Sequence, residues 1–117
     1  MHEYSIVGAL LGEVEARARQ AGATHVALVC IRLGELSGVD ARLLATAFET
    51  FGARDLCEGA ELEIEEVPAA WACPRCHAER PPGGPLRCDA CERPLELVRG
   101  DEIVLTHLEL EVPDHVY

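Results

Sequence analysis

Two segments of the chain carry apolar side chains at helical spacing. In the first, the apolar positions are Ile6, Val7, Leu10, Leu11, Val14 and Ala18. This stripe predicts an amphipathic helix that starts near Tyr4 and that Gly22 ends. The second segment covers residues 37–52, where the Ser37-Gly-Val-Asp40 capping pattern predicts the start of a helix and Gly52 its end. Its apolar face is expected to comprise Val39, Leu43, Ala47 and Phe51, with Leu44 and Phe48 beside them.

Three further segments have the patterns of β-strands. Residues 24–36 are apolar and β-branched on both parities, which predicts a well-buried strand. Residues 60–67 alternate, with Leu62 and Ile64 facing in and glutamates facing out. Residues 102–112 alternate in the same way. Each of these two segments is therefore predicted to be a strand with one face in water.

Between the last two strands, the segment CPRCHAERPPGGPLRCDACERP has little periodic hydrophobicity and many prolines. It cannot bury enough apolar surface to fold unaided. We therefore expect an α+β fold, with a small sheet of about three strands, two helices and an inserted zinc-ribbon-like module built on four cysteines. The predicted domains are residues 1–69 with 101–117, which form the main domain, and residues 70–100, which form the module.

The composition of the chain excludes or disfavours several classes of protein. Hydrophobic residues make up 49% of the 117 positions, which excludes a disordered chain. The formal net charge of −11 disfavours nucleic-acid binding through basic patches. No apolar run approaches the roughly 20 residues that span a bilayer, and the start lacks the pattern of a signal peptide. We expect a soluble, cytoplasmic protein with no membrane or nucleic-acid partner.

Four of the six cysteines form two Cys-x-x-Cys pairs, Cys73/Cys76 and Cys88/Cys91. Each pair can direct two thiolates from one tight turn, and two such turns supply the four ligands of tetrahedral zinc. A closed four-thiolate shell leaves no position for substrate, so the site is predicted to be structural. Redox disulfides or ordinary buried thiols are the alternatives. Cys30 is expected in the core, and Cys57 is expected to be a loop thiol without a role.

The chain starts Met1-His2-Glu3. A free N-terminal amine, the amide nitrogen of His2 and its imidazole can close successive chelate rings on one metal. Nitrogen donors in a plane suit Ni(II) or Cu(II), and the carboxylate of Glu3 could complete the shell. The positive end of the helix dipole opposes a cation here. The chemistry therefore leaves open a simpler interpretation, a solvated histidine followed by a helix-start glutamate.

Four stretches, MHEYSIVGALL, IRLGELSGVD, LLATAFETF and GAELEIEEVPAAWACPRC, resemble the HypA family (also called HybF-like) in family order. These proteins are nickel metallochaperones for hydrogenase and, in some organisms, urease maturation. The resemblance implies that His2 is the main nickel ligand, together with the Met1 amine and backbone nitrogens of His2 and Glu3. It implies a weaker nickel role for Asp40, whose alternative role is capping the second helix. The four paired cysteines match the family's zinc ligands, and His77 is expected to be a spectator.

The resemblance also implies partners, namely the GTPase HypB, the hydrogenase large-subunit precursor and, as a further candidate, urease accessory proteins. The sequence contains no convincing nucleophile–base pair and no phosphate loop, so no enzymatic activity is expected. The main alternative is a zinc-ribbon adaptor that docks to other proteins without transferring nickel. Nucleic-acid binding through the arginines of the module is a weaker one, because interleaved aromatic residues are missing there.

Overall fold

The computed structural model describes residues 2–52, 55–80 and 83–113, and for His2, Glu3 and Asp55 only the backbone. Within these residues, the helices are α1 (His2–Gln20) and α2 (Ala41–Phe51). The strands are β1 (His25–Gly34), β2 (Glu61–Val67), β3 (Ala70–Ala72), β4 (Glu79–Arg80), β5 (Glu96–Arg99) and β6 (Ile103–Glu111). A short 3-10 turn covers Asp55–Cys57. Neither described helix is both long and apolar enough to cross a bilayer.

The main sheet has three strands, as predicted, and their order is β2-β1-β6. β1 is the central strand, parallel to β2 and antiparallel to β6. Because parallel neighbours need a crossover connection, α2 lies between β1 and β2 in the chain. β6, the last of these strands in the chain, pairs with the other edge of β1.

Both helices bury their apolar stripes against one face of this sheet. The buried core comprises Val7, Leu10, Val14, Ala18, Val26, Val29, Ile31, Leu33, Leu44, Ala47, Phe48 and Cys57. Removing each large aliphatic side chain of this kind from water contributes about 1.5–3 kcal/mol. The stripe predicted for α1 is thus confirmed, although the helix begins at His2 instead of near Tyr4.

The ends of the helices follow from local sequence. α1 ends in a left-handed Gly22 (φ 73°), and the amide of Ala23 donates to the carbonyl of Ala18 at 2.9 Å, as in a Schellman motif. α2 begins at Ala41, later than the predicted start at Ser37. Its N-cap is Asp40, whose carboxylate accepts a hydrogen bond from the Leu43 amide at 3.0 Å.

Two expectations about burial were wrong, for α2 and for β1, and the burial of Cys57 was not predicted. The buried face of α2 comprises Leu44, Ala47 and Phe48, whereas Leu43 and Phe51 are 53% and 40% exposed. β1 is fully buried on one face only, so Cys30 is half-buried on the open face of the sheet and does not belong to the core. Cys57 lies in the 3-10 turn and is buried in the core, because the turn packs against α1 and β1.

Residues 70–99 add a second small sheet in the order β4-β3-β5. It meets the main sheet where β1 and β2 end. There the Glu35 carboxylate accepts from the Ala69 amide at 2.8 Å, and the Leu36 amide donates to the Gly100 carbonyl at 2.6 Å. The second sheet thus starts directly beside the end of the main one.

Candidate metal centres

The four paired cysteines lie on two turns with the same backbone design. In the first turn, the His77 amide donates to the Cys73 carbonyl at 2.9 Å, and the Cys73 amide donates to the Ala78 carbonyl at 3.0 Å. Pro74 has its φ angle fixed at about −65°, which suits the second position of such a turn. His77 closes the turn in the left-handed region with φ 63°.

The second turn repeats this pattern. The Glu92 amide donates to the Cys88 carbonyl, and the Cys88 amide donates to the Arg93 carbonyl, both at 2.8 Å. Glu92 has φ 53°, the same left-handed conformation as His77. A non-glycine residue in this conformation is uncommon and costs energy. This conformation of His77 and Glu92 was not predicted, although the position of both residues directly after a Cys-x-x-Cys pair was an available signal.

The two turns bring the four sulfurs together. All four Sγ atoms lie within 4.8 Å of one another, and the Cys76 and Cys88 sulfurs are 3.7 Å apart. Zn–S bonds of about 2.3 Å in a tetrahedron require sulfur separations of about 3.8 Å. A disulfide would need about 2.05 Å, and none of the four paired cysteines forms one. The geometry therefore fits a metal site far better than a pair of redox disulfides.

The electrostatics of the cluster fit a cation at its centre. The Cys76 amide points at the Cys73 sulfur at 3.5 Å, and this donor is the main reason that the pKa of Cys73 is lowered to about 6. The Cys91 amide has the same effect and lowers the pKa of Cys88. Burial and three neighbouring thiols raise the pKa of Cys91 to about 12. Four thiolates in one small volume repel each other, and a divalent ion at the centre would remove that repulsion.

Exposure differs within the cluster. Cys73 and Cys88 are fully buried, Cys91 is partly buried and Cys76 is exposed. Trp71 and Leu95 pack against the buried pair. The Arg80 guanidinium lies 3.9 Å from the Cys88 sulfur. A shell of this kind shields two ligands from solvent and leaves one thiolate at the surface.

The predicted nickel residues fall only partly within the described structure. Met1 lies outside it, and His2 and Glu3 are described only as the first residues of α1. The Tyr4 ring meets the Phe51 ring edge-on, with centroids 4.9 Å apart. The first turn of α1 therefore packs on the last residue of α2. Asp40 caps the opposite end of α2, about 16 Å away along an eleven-residue helix.

An α+β chain with helices on one face of a three-stranded sheet and a four-cysteine cluster on a second sheet is a small metal-binding protein. A family model described as "Hydrogenase/urease nickel incorporation, metallochaperone, hypA" matches residues 1–110. The chain belongs to the HypA family, whose members are nickel metallochaperones in nickel incorporation into hydrogenase or urease.

Several relatives support this assignment. Hydrogenase maturation factor HypA of Wolinella succinogenes is 44% identical over 97% of this chain and 98% of its own length. The HypA of Shewanella sp. (strain MR-7) is 40% identical over the same shares. The solution structure of the nickel metallochaperone HypA from Helicobacter pylori superposes with a TM-score of 0.72 at 30% identity, covering 95% of this chain and 98% of that one. A second HypA solution structure superposes with a TM-score of 0.78, at the same identity, over 97% and 98% of the two chains.

Proposed function

We propose that this chain binds Ni(II) at its N-terminus and delivers it during the maturation of nickel–iron hydrogenase and, in cells that make it, urease. The proposal rests on one observation above all. The family match begins at residue 1 and so includes the Met1-His2-Glu3 start. The proposed ligands are the Met1 amine, the imidazole and amide nitrogen of His2, and the amide nitrogen of Glu3, whose carboxylate is a further candidate.

The start of α1 supports this ligand set. The helix begins at His2, so the amides of His2 and Glu3 belong to the first turn, where N–H groups have no partner within the helix. Such an amide can lose its proton and coordinate nickel without breaking a helical hydrogen bond. The helix dipole opposes a bare cation but stabilises the negative charge of a deprotonated amide. The helix dipole therefore opposes nickel binding at this terminus less than the sequence alone suggests.

We further propose that Cys73, Cys76, Cys88 and Cys91 hold a structural zinc ion, which folds residues 70–100 as a separate zinc-binding domain. Residues 1–69 and 101–117 would then form the nickel-binding domain. Residues 70–100 contain five of the ten arginines but only four of the 21 acidic residues. The nickel-binding domain therefore has the other five arginines and 17 acidic residues, a net charge of −12 against +1 for residues 70–100. This negative charge suits a cation cargo and basic partner surfaces.

The proposed partners are a HypB-like GTPase, the hydrogenase large-subunit precursor and urease accessory proteins. The proposed compartment is the cytoplasm, where free thiols persist. In this role the chain carries a metal ion from one protein to another and catalyses no reaction of its own. A donor set at an exposed terminus suits such transfer, because a receiving site can replace one ligand at a time.

Nickel titration of the zinc-loaded protein tests the terminal site. The variants are His2→Ala and a form with two residues added before Met1, which moves the free amine away from the imidazole. We expect both to lower Ni(II) affinity at least about tenfold, or about 1.4 kcal/mol. His77→Asn is the matched control, because it removes an exposed imidazole while asparagine tolerates the left-handed backbone there.

Two further variants separate the roles of Asp40. Asp40→Asn keeps a helix cap but removes the charge, whereas Asp40→Ala removes both. Weaker nickel binding in Asp40→Asn without loss of stability would assign Asp40 to the nickel site. Equal nickel affinity in the native, His2→Ala and extended proteins would instead favour the zinc-ribbon adaptor that transfers no nickel.

A further inference from the structure

The open face of the main sheet carries a row of potential metal ligands. Cys30 lies on the central strand, opposite Glu63 of β2 on one side and His107 of β6 on the other. Side chains directly opposite each other in an antiparallel pair, such as Cys30 and His107, have Cβ atoms about 4.5–5.5 Å apart on one face. The helices cover the other face, so this row is open to solvent. It is separate from the four-cysteine cluster and from the N-terminus.

Contacts within the row join its members in two pairs. The Cys30 sulfur lies 3.5 Å from Oε2 of Glu63. His107 Nε2 lies 3.4 Å from Oε2 of Glu109, which is the next outward residue of β6. The pKa of Cys30 is raised, first by desolvation and then by the carboxylates of Glu63 and Glu109. Glu109 therefore acts on both Cys30 and His107.

We propose that Cys30, Glu63, His107 and Glu109 form a second metal site, which takes one borderline divalent transition ion such as Ni(II) or Zn(II). The donors would be one thiolate, one imidazole and two carboxylates. Thiolate and imidazole together select borderline ions over Mg²⁺ or Ca²⁺, and the carboxylates offset the ion's charge. On binding, the Cys30 thiol transfers its proton to solvent, and the sulfur–metal bond replaces the S–H bond.

To hold one ion, the side chains of the two pairs have to rotate towards each other. Among the described residues, the four-cysteine cluster is the one group of three or more such donors whose atoms all lie within 4.8 Å of one another. The sheet-face donors stand instead as two pairs, Cys30 with Glu63 and His107 with Glu109. The side chains of the second pair are 56% and 60% exposed, so they can turn towards the sulfur.

Within the described strands of this face, no basic side chain lies in the row to compete for its carboxylates. The nearest arginine on the same face, Arg32, is one outward position further along β1, and it pairs with Glu65 at 3.5 Å. Its charge is thus already partnered outside the row. The row therefore combines soft and hard donors with local negative charge, which a purely acidic surface or a single cysteine would lack.

The test uses full-length, zinc-loaded protein carrying His2→Ala, which removes the proposed terminal ligand. Ni(II) is added while near-ultraviolet absorption reports sulfur-to-nickel charge transfer and released zinc is measured. We expect one further equivalent of nickel with a sulfur band and no zinc release. Cys30→Ser and Cys30→Ala should abolish the band, and His107→Gln and Glu63→Gln should weaken binding at least about tenfold. Glu66→Gln, which removes the same charge from the same strand outside the row, should change nothing.

Two outcomes would overturn this site. One is that no nickel binds in the His2→Ala background beyond an amount matched by released zinc. The other is that the sulfur band survives in both Cys30 variants. Either result leaves the terminal site untouched, because that site is tested in protein with native His2. Conversely, loss of the terminal site would not affect the result on the sheet face.

Discussion

His25 connects three segments of the chain at the main sheet. Its Nδ1 lies 2.5 Å from Oε2 of Glu111, at the end of β6, and its Nε2 lies 2.6 Å from the Glu58 carbonyl. A carbonyl and a carboxylate only accept hydrogen bonds, so the ring satisfies both only when both nitrogens carry protons. The Glu58 carbonyl first, and then the Glu111 carboxylate, therefore raise the pKa of His25 above its usual 6.5.

This pKa shift predicts a pH dependence of stability. A histidine whose pKa is raised by folding stabilises the native state fully below the unfolded pKa of about 6.5. That stabilisation is lost as pH rises through the higher folded pKa. We therefore expect native protein to be more stable than His25→Gln at pH 6, with the difference shrinking towards pH 8.5. Urea unfolding of both proteins at each pH measures it.

Groups common to both proteins, including the cysteine cluster, cancel in that difference. Glu111→Gln should reduce the pH dependence, because it removes the carboxylate partner. A difference that stays constant from pH 6 to 8.5 would contradict the charged bridge.

At the scale of elements, the second sheet depends on the two cysteine turns more than on its own strands. Strands β3, β4 and β5 are short, with three, two and four residues, and few residues are buried around the cysteine cluster. So small an apolar cluster stabilises little by itself. Zinc binding would then supply most of the free energy of folding for this segment.

Metal analysis of the purified protein tests that dependence. We expect about one zinc per chain, since one tetrahedral shell uses all four thiolates. The double variant Cys73→Ser with Cys76→Ser should lose this zinc and the tertiary fluorescence signal of Trp71. Cys57→Ala is the control, because it removes a buried cysteine outside the pairs. Full zinc content in the double variant would exclude the proposed ligand set.

The elements that the sequence predicted well are those whose signal is local. Strict alternation identified β2 and β6, and the stripe of α1 identified the first helix, because each element buries one face against a single layer. The two Cys-x-x-Cys pairs predicted the cluster, since spacing within a tight turn determines where sulfurs point. Strands β3 to β5 have no such pattern, because their positions depend on the turns and not on apolar periodicity.

The predictions of burial were wrong or missing where burial depends on contacts with residues distant in the chain. β1 is apolar on both parities, so its pattern could not tell which face the helices cover. Because the helices cover the other face, Cys30 lies on the open face, opposite His107, which is 77 positions away in the chain. Cys57 was assigned to a loop because its burial depends on packing against α1 and β1. The candidate site around Cys30 was invisible for the same reason.

At the scale of the whole molecule, two glycines allow the sheets to meet. A Cβ at Gly34 would overlap the backbone of Gly100, and a Cβ at Gly100 would lie 2.6 Å from the Ala69 Cα. Gly100 also has φ 101°, a conformation that other residues rarely adopt. The backbones of the two sheets are therefore closer here than any side chain would permit.

Replacing Gly100 tests this contact. Gly100→Ala combines backbone strain of about 1–3 kcal/mol with a backbone clash, so we expect a loss in unfolding free energy above that range. Gly59→Ala is the matched control, because Gly59 has φ 75° but open space around its Cβ position. It should cost only the strain. Urea unfolding of the zinc-loaded protein measures both variants. Equal losses of unfolding free energy would mean that the close approach of the backbones at Gly100 adds nothing to the cost of the substitution.

The pairing of β6 with β1 has a consequence for chain entropy. About 35 residues separate the end of β2 at Val67 from the start of β6 at Ile103, and ordering the last strand closes this long loop. Zinc bound between Cys73 and Cys91 would remove about half of that length from the fluctuating chain. Halving a loop lowers its closure cost by about 0.6 kcal/mol. A metal whose four ligands all lie outside the strands of the main sheet would thus favour the completion of that sheet.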